Sequence, residues 1–336
     1  MIARNIEVQI KIASKDVTKD LEPFFLSATY EDAASGETDT CEVELMDEAR
    51  KFLGDWFPTR GDTLEIEFLK RNWGDGQQTN LFLGLFEIDE IGNSFPPARC
   101  KIKGNSVSQN SALRQTDKSR SWENVKLSAI ARQIATEAGL ELFFDAEDDP
   151  QIQRAEQSEI SSLKFLEKLC ADNYLSLKVS DGKLIIFDTA KFEQAEPVMT
   201  IDGTDSSVLL HFDGKATIQE VYKSAEVVYK HGKQDELFQG GFSVPDKTDG
   251  KVLKINQKVE SQAEAERLAR NKLREKNKDE VTISLDCIGD FRLLSGNVIE
   301  LVNCGFYSGK YLIDKARHAV GTGYKVNVEC HKCLGY

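Results

Sequence analysis

The sequence is poor in the residues and motifs on which catalysis depends. Its 336 residues include four histidines, namely His211, His231, His318 and His331, although histidine is the side chain most often used to move protons near neutral pH. No Gly-x-Ser-x-Gly elbow, His-Glu-x-x-His helix or phosphate-binding loop occurs in the sequence. The 56 acidic residues are too many for any one pair to be singled out as acid and base. The sequence therefore names no catalytic residue, predicts that the chain is not an enzyme, and gives no reason to expect a cofactor.

Long apolar runs are missing as well. No segment approaches the ~18 consecutive apolar residues that a membrane-spanning helix requires. The first residues lead directly into an alternating strand pattern, where a secreted precursor would have a continuous apolar core. These features predict a chain that has no membrane span, is made in the cytoplasm and is not exported by the Sec route.

Positively charged residues are fewer than negatively charged ones. The chain has 43 lysines and arginines against 56 aspartates and glutamates, which gives a net charge of −13. Because nucleic-acid affinity comes from clustered cations that displace counterions, this balance argues against a general nucleic-acid binder. The fractions of hydrophobic residues, 40%, and charged residues, 29%, are those of an ordinary globular protein. At about 150 residues per domain, the length predicts two or three domains.

The seven cysteines divide into two groups. Four lie within apolar strand or helix patterns, where a reduced cysteine behaves as a small hydrophobic side chain: Cys41, Cys100, Cys170 and Cys287. The others are Cys304, Cys330 and Cys333, and the Cys-x-x-Cys spacing of the last two can chelate zinc. A second pair at such spacing is missing, and Cys330 continues the alternation of the strand pattern before it. We therefore interpret Cys330 as a strand residue and Cys333 as a tail thiol, and a metal site at these three cysteines remains the alternative.

Two acidic stretches resemble calcium loops only superficially. Residues Asp145–Asp149 and Asp202–Ser206 are rich in carboxylates, but neither has the glycine and bidentate glutamate spacing of an EF-hand loop. Exposed polar loops are the favoured interpretation of both.

Hydrophobic periodicity predicts a β-rich first domain over residues 1–108. Its opening strand alternates apolar and polar side chains through Ile6, Val8, Ile10 and Ile12. Further strand patterns follow, separated by turn residues, and a helical spacing over Asp47–Phe57 predicts one short helix. We expect a small antiparallel β-barrel.

The pattern changes over residues 109–198 and changes back over 199–336. Helical spacing begins at Ser121 and stops at Gly139, a second helix is predicted over Ser161–Asn173, and a hairpin follows. The last third returns to strands around one helix, which opens with a capping box at Ser261. The predicted fold class is therefore α+β and mostly β, with two antiparallel β-barrels and an intervening small α+β module.

Several segments occur in an order that is typical of one protein family. In the middle of the chain they are Trp122–Ala131, Gly139–Leu142, Ser161–Leu166 and Asn173–Leu177, and near the end they are Leu294–Leu301, Gly309–Ile313, His318 and Gly323–Tyr324. This succession, over about residues 110–330, resembles the phage late control D family. The order of the segments is more specific than any one of them.

The resemblance implies a baseplate hub like those of contractile phages, R-type bacteriocins and the N-terminal region of type VI secretion spikes. Such a hub is a homotrimer with two tail-tube-like barrels per chain. The resulting ring of six similar barrels connects a threefold central spike to the sixfold tail tube. The family supplies no catalytic residue, and at His318 we expect a structural hydrogen bond near a barrel turn.

The resemblance also implies partners and a location. The expected partners are the central spike, tail tube, tape measure and baseplate wedge proteins, without sequence-specific nucleic-acid binding. The expected location is the baseplate of a virion or phage-tail-like particle assembled in the bacterial cytoplasm. Because the sequence stops after the second predicted barrel, we expect any spike or wall-degrading domain to be a separate protein.

Two other functions remain open at this point. One is a tail-associated peptidoglycan hydrolase, because such enzymes occur in phage tails. The other is a small metal-binding adaptor that uses the cysteines at positions 304, 330 and 333.

Overall fold

The computed structural model describes residues 5–34, 38–73, 80–106, 113–114, 117–146, 148–230, 237–245, 247–257, 259 and 261–336. The fold is mostly β, with 52% of residues in strands and 19% in helices. Large antiparallel sheets dominate it, which confirms the predicted fold class. None of the helices described is long and apolar enough to cross a membrane.

The chain forms two compact units. Unit 1 comprises Met1–Lys191, Asp286–Asn297 and Ile313–Val328, and unit 2 comprises Phe192–Leu285, Val298–Leu312 and Glu329–Tyr336. The three-domain division at residues 108 and 198 stays a prediction.

The first twelve strands precede residue 190. They are β1 Asn5–Ile12, β2 Lys15–Asp16, β3 Phe25–Ala33, β4 Thr40–Met46, β5 Thr63–Arg71, β6 Asn80–Ser94, β7 Arg99–Asn105, β8 Asp117–Lys126, β9 Glu141–Asp145, β10 Gln151–Ser161, β11 Ser176–Ser180 and β12 Lys183–Phe187. The later strands are β13 Met199–Asp202, β14 Leu209–Ala216, β15 Tyr222–Lys230, β16 Leu237–Ser243, β17 Lys251–Ile255, β18 Val281–Ile288, β19 Val298–Val302, β20 Gly309–Val320 and β21 Tyr324–Lys332.

Five α-helices and four 3-10 turns lie between the strands described. The helices are α1 Thr18–Leu21, α2 Leu127–Glu137, α3 Ser162–Asp172, α4 Thr189–Phe192 and α5 Gln262–Asn277. The 3-10 turns are Glu22–Phe24, Lys51–Leu53, Lys278–Glu280 and Gly305–Tyr307.

The main sheet of unit 1 has the strand order β21-β20-β3-β4-β7-β6-β5-β1-β2. Along β5, alternate side chains are buried, as a sheet with one face on a core requires. Strands β5 and β21 are far apart in this order, yet the rings of Phe68 and Tyr324 meet edge to face at 6.2 Å between centroids. The sheet therefore curves around a common core.

A smaller α+β part of unit 1 contains α2, α3 and five strands. β8 pairs with β10 antiparallel, while β12 pairs with β11 antiparallel and with β9 parallel. Trp122 of β8 stacks on Phe165 of α3 at 5.0 Å between ring centroids, inside a continuous apolar cluster. The second predicted helix is confirmed over Ser162–Asp172, where Ser161 accepts the first-turn N–H of Lys164.

Two helix predictions in unit 1 were wrong in part or in full. The helix expected from Ser121 begins at Leu127, because the preceding residues pair with β10 as a strand. The helix expected over Asp47–Phe57 is only the 3-10 turn at Lys51–Leu53. Arg50 has a φ of 56°, and this left-handed conformation ends any right-handed helix.

Unit 2 packs its helix on a three-stranded sheet. β15 pairs with β16 antiparallel and with β17 parallel. A Cβ added at Gly240 of β16 would lie 2.6 Å from the carbonyl carbon of Ala265, so α5 approaches this strand closely. The predicted cap is present, because the Ser261 side chain accepts the N–H of Glu264 at 3.1 Å.

Gly104 tests the packing inside the curved sheet. A Cβ at Gly104 would lie 2.8 Å from the Cβ of Phe86 and 3.0 Å from the sulfur of Cys41, whereas a Cβ at Gly92 would meet nothing within 4 Å. We predict that Gly104→Ala lowers the free energy of unfolding by about 1–3 kcal/mol through overpacking. Gly92→Ala is the matched strand control. Urea denaturation of both variants measures the difference, and equal losses would contradict this account.

Candidate functional site

Unit 1 carries an exposed apolar surface at one end of its main sheet. We call this the aromatic surface, and its exposed members are Met46, Leu53, Trp56, Phe57 and Phe95. They lie together because the 3-10 turn after β4 and the turn between β6 and β7 are adjacent, and the N–H of Asp47 donates to the carbonyl of Ala98 at 2.9 Å. Clustered exposed side chains of this size are typical of interaction sites, whereas isolated ones are common everywhere.

Ring contacts and two cations organise this surface. Phe24, Phe52 and Trp56 meet edge to face with centroids 5.8 to 5.9 Å apart. The Lys51 ammonium lies 4.7 Å from the centroid of the Trp56 ring, and the Arg50 guanidinium lies 4.9 Å from that of Phe95. Fixed rings and cations of this kind are common among residues that anchor interfaces.

A buried charge cluster joins distant parts of unit 1. Lys178 of β11 contacts the carboxylate of Asp32 on β3 and lies 3.1 Å from that of Asp39, and the exposed fractions of these side chains are 13%, 5% and 0%. Ser295 donates to Asp32 through its N–H at 2.8 Å and its hydroxyl at 2.6 Å, while Ser180 donates to Asp39 at 2.6 Å. Each carboxylate therefore has a cation and at least one neutral donor.

The electrostatics of this cluster are set by burial. Desolvation raises the pKa of Asp39, and attraction to Lys178 and the hydrogen bond from Ser180 oppose that rise only in part. Desolvation alone would lower the pKa of Lys178, but the two carboxylates outweigh it and raise that pKa. The lysine is therefore held in its charged form between two acids.

His318 forms a second buried polar centre in unit 1. Its Nε2 lies 2.8 Å from the carbonyl of Leu293, and its Nδ1 lies 2.7 Å from the hydroxyl of Tyr324. A carbonyl can only accept, so Nε2 carries the proton and Nδ1 accepts from the tyrosine. Burial lowers the pKa of His318 to about 4. The expected structural hydrogen bond is present.

Unit 2 has a third buried centre around Glu193. This carboxylate accepts from Arg274 at 2.6 Å and from the N–H of Leu334 at 2.8 Å, and the His331 ring lies 3.4 Å away. Burial by itself would raise the pKa of Glu193, but these partners lower it. Arg274 also contacts the main-chain oxygen of Tyr336. The centre fixes residues 331–336 against α5.

Three cysteines, Cys304, Cys330 and Cys333, were considered as metal ligands from the sequence. Within the ranges that the structure describes, no three or more His, Cys, Asp and Glu side chains are grouped so that they could hold a metal ion. Cys330 is buried, and Cys304 and Cys333 are partly exposed. Burial raises the pKa of Cys333 to about 12, which disfavours the thiolate that zinc would need. That these cysteines bind no metal stays a prediction.

Both acidic stretches bind parts of their own chain. Asp145 contacts Lys191, and Asp149 accepts from the N–H and hydroxyl of Ser128 at the start of α2. Asp202 accepts from the N–H and hydroxyl of Thr204, as in a polar turn. Glu147 of the first stretch, like His231, lies outside the residues described.

Comparison with known sequences identifies the family. The model of the YQBQ-like family matches residues 160–329, which is half of the chain. The chain belongs to the YQBQ-like family. It is also 26% identical over 208 residues to the probable baseplate hub protein of Escherichia phage P2. That alignment covers 59% of this chain and 50% of the phage P2 protein, so the chain matches about half of that relative's length.

Solved structures show what fold this YQBQ-like protein has. The 43 kDa tail protein of prophage MuSo2 from Shewanella oneidensis has a TM-score of 0.75 at 10% identity, and the match covers 98% of this chain and 99% of that one. The tail protein from Neisseria meningitidis MC58 has a TM-score of 0.73 at 11% identity, with coverages of 98% and 97%. The YQBQ-like protein therefore shares the fold of these two tail proteins over nearly its whole length.

Sequence reasoning missed the charge cluster and the aromatic surface. One signal was visible: in the alternation of β3, Asp32 lies on the same buried face as Ala28 and Tyr30. Its partner Lys178 lies 146 positions away, and no pattern in the sequence connects them. The exposure of the aromatic surface was not predicted, because the helical spacing over Asp47–Phe57 places Trp56 on the apolar face of a helix.

The neutral state of His318 predicts a pH dependence. A folded-state pKa of about 4, against the ordinary value near 6.5, means that protonation favours the unfolded chain. The stabilisation is complete above pH ~6.5 and is lost as the pH falls towards 4, by about 3 kcal/mol at most. We predict that the difference in free energy of unfolding between the wild-type chain and His318→Gln, measured by urea denaturation, becomes smaller as the pH falls across this range. His211→Gln, at an exposed position, is the control; a constant advantage would contradict the assignment.

Proposed function

We propose that the chain is a structural baseplate hub of a contractile phage tail or a phage-tail-like particle. The observation that carries this proposal is the 208-residue match to the probable baseplate hub protein of phage P2. The fold shared with two tail proteins over 98% of the chain supports it. The location that follows is the baseplate of the particle, with assembly in the bacterial cytoplasm.

We further propose that three copies form a ring that joins the central spike to the tail tube. In a closed ring, each subunit contacts its neighbours through two different faces. The aromatic surface supports this arrangement, because it offers exposed rings and two cations as one of those faces. Tape measure and baseplate wedge proteins are the further partners of the proposed ring.

The role proposed for this ring is mechanical and not catalytic. The buried centres support it, because the His318 ring and the Glu193 carboxylate are occupied by partners from their own unit. A zymogram on peptidoglycan should therefore show no clearing by the purified chain. A clearing zone that survives controls would favour the hydrolase alternative.

The mass of the assembly tests the ring. Native mass spectrometry of the purified chain, alone and co-expressed with a spike protein from the same particle, should show three copies in at least one of the two preparations. A monomer in both preparations would contradict the proposed trimer. Electron microscopy of particles lacking the chain should show tails that do not join to a spike.

The aromatic surface can be tested separately from folding. We predict that Trp56→Asp weakens association between copies at least ~10-fold, because aromatic anchors dominate interface energies and a buried carboxylate there would be desolvated. Phe143→Asp, at another exposed aromatic position of unit 1, is the matched control. Analytical ultracentrifugation measures both variants, with circular dichroism to confirm the fold. If the two variants associated equally strongly, the aromatic surface would not be part of the interface.

A further inference from the structure

The Lys178 cluster has the composition of a reaction centre as well as that of an ion pair. An amine and a carboxyl are in direct contact, and a second carboxyl lies 3.1 Å from the amine nitrogen. The two carboxylates are buried, and the Lys178 side chain is 13% exposed. In water such groups would be solvated separately, but here they are held in one geometry by three segments of unit 1.

The surrounding donors complete the arrangement. The N–H of Ser295 donates to Oδ2 of Asp32 at 2.8 Å, where negative charge would develop if a nucleophile attacked the carboxyl carbon. The Ser295 hydroxyl donates to Oδ1 at 2.6 Å, on the oxygen that Lys178 contacts. Asp39 accepts from the hydroxyl of Ser180 at 2.6 Å and from the N–H of Ala33 at 3.2 Å, which orient it towards the amine.

We propose that Lys178 and Asp32 condense in the folded protein to form an intramolecular amide bond, with Asp39 as the proton relay. Nζ of Lys178 first loses a proton, through Asp39, to one oxygen of Asp32. The neutral amine then attacks the carbon of this protonated carboxyl, and the protonated oxygen leaves as water with a second proton from Nζ. Of the three protons on the ammonium, one stays on the amide nitrogen and two depart with the leaving oxygen. Asp39 takes a proton from Nζ, passes it to the leaving oxygen and ends the reaction unchanged.

Burial provides the driving force for this step. The two carboxylates hold Lys178 in its charged form, so the step has to begin with a proton transfer from Nζ. The amide product is neutral, needs no charge compensation in the interior and releases a water molecule. Burial also raises the pKa of Asp39, which suits a group that must hold a proton transiently. The Lys191–Asp145 pair is an internal comparison. Its side chains are 48% and 30% exposed, so hydration stabilises the ions and we expect no condensation there.

The mass of the purified full-length chain tests the proposal. The chain should be lighter than calculated by one water molecule, and trypsin should fail to cut after Lys178. Digestion should yield a branched peptide in which residues 20–50 are joined to residues 169–183, while cleavage after Lys191 stays complete. Because the measurement concerns one denatured chain, its outcome does not depend on whether the chain forms a ring.

Three variants separate the roles. Lys178→Arg keeps a cation between the carboxylates but should show the calculated mass and a lower midpoint of thermal unfolding, since the covalent loop is lost. Asp32→Ala should also show the calculated mass. Asp39→Asn preserves shape without the relay, so the bond should form on the order of 100-fold more slowly after refolding.

A wild-type chain with the calculated mass and complete cleavage after Lys178, after prolonged incubation in the folded state, would show that the cluster is an ion pair only. A loss of water that maps to the Asp181-Gly182 step would likewise overturn it, because that site can form a cyclic imide without Lys178.

Discussion

The organisation of unit 1 depends on one buried lysine that is shared by two buried carboxylates. Asp32 lies near the end of β3, Asp39 precedes β4, and Lys178 lies on β11 of the α+β part. Ser295 adds a segment that comes more than 260 positions after Asp32. Removing one member of such a group leaves an uncompensated charge in the interior, which costs on the order of 3–5 kcal/mol. The folded state is therefore stable only when these segments hold the three charged side chains together.

The other buried centres follow the same rule on a smaller scale. His318 is kept neutral by burial, and its two ring nitrogens are matched by one donor and one acceptor. Glu193 is kept charged by Arg274 and by a main-chain N–H. In each case a buried polar group is matched within its own unit, as the cost of an unmatched one requires. These centres consequently stabilise the fold of their own units, and the aromatic surface stays exposed for partners.

That division is consistent with the structural role proposed for the chain. The hub proposed above would have to keep its own shape under contact with other proteins, which buried polar networks favour, and would need exposed rings for those contacts. The aromatic surface has the composition of an interface core, with rings held by contacts to one another and by cations. The family membership and the tail-protein fold are consistent with this division of roles.

The sequence by itself determined the elements that local physics controls. Alternation predicted β1 and β5, helical spacing predicted α3, and the cap at Ser261 predicted the start of α5. The apolar cysteines were correctly placed in the core. These predictions succeed because side-chain periodicity and capping act between residues a few positions apart. The order of segments also pointed to the right class of tail protein.

Only the tertiary structure decided what depends on distant pairing. Asp117–Lys126 contains part of a helical spacing, and it is a strand because β10 supplies a partner. The turn at Lys51–Leu53 replaces a helix because Arg50 adopts a left-handed conformation. Lys178 gave no sign of its role, since a charged residue on a short strand is normally exposed. Its burial is decided by two carboxylates more than 130 positions away, and no local pattern carries that information.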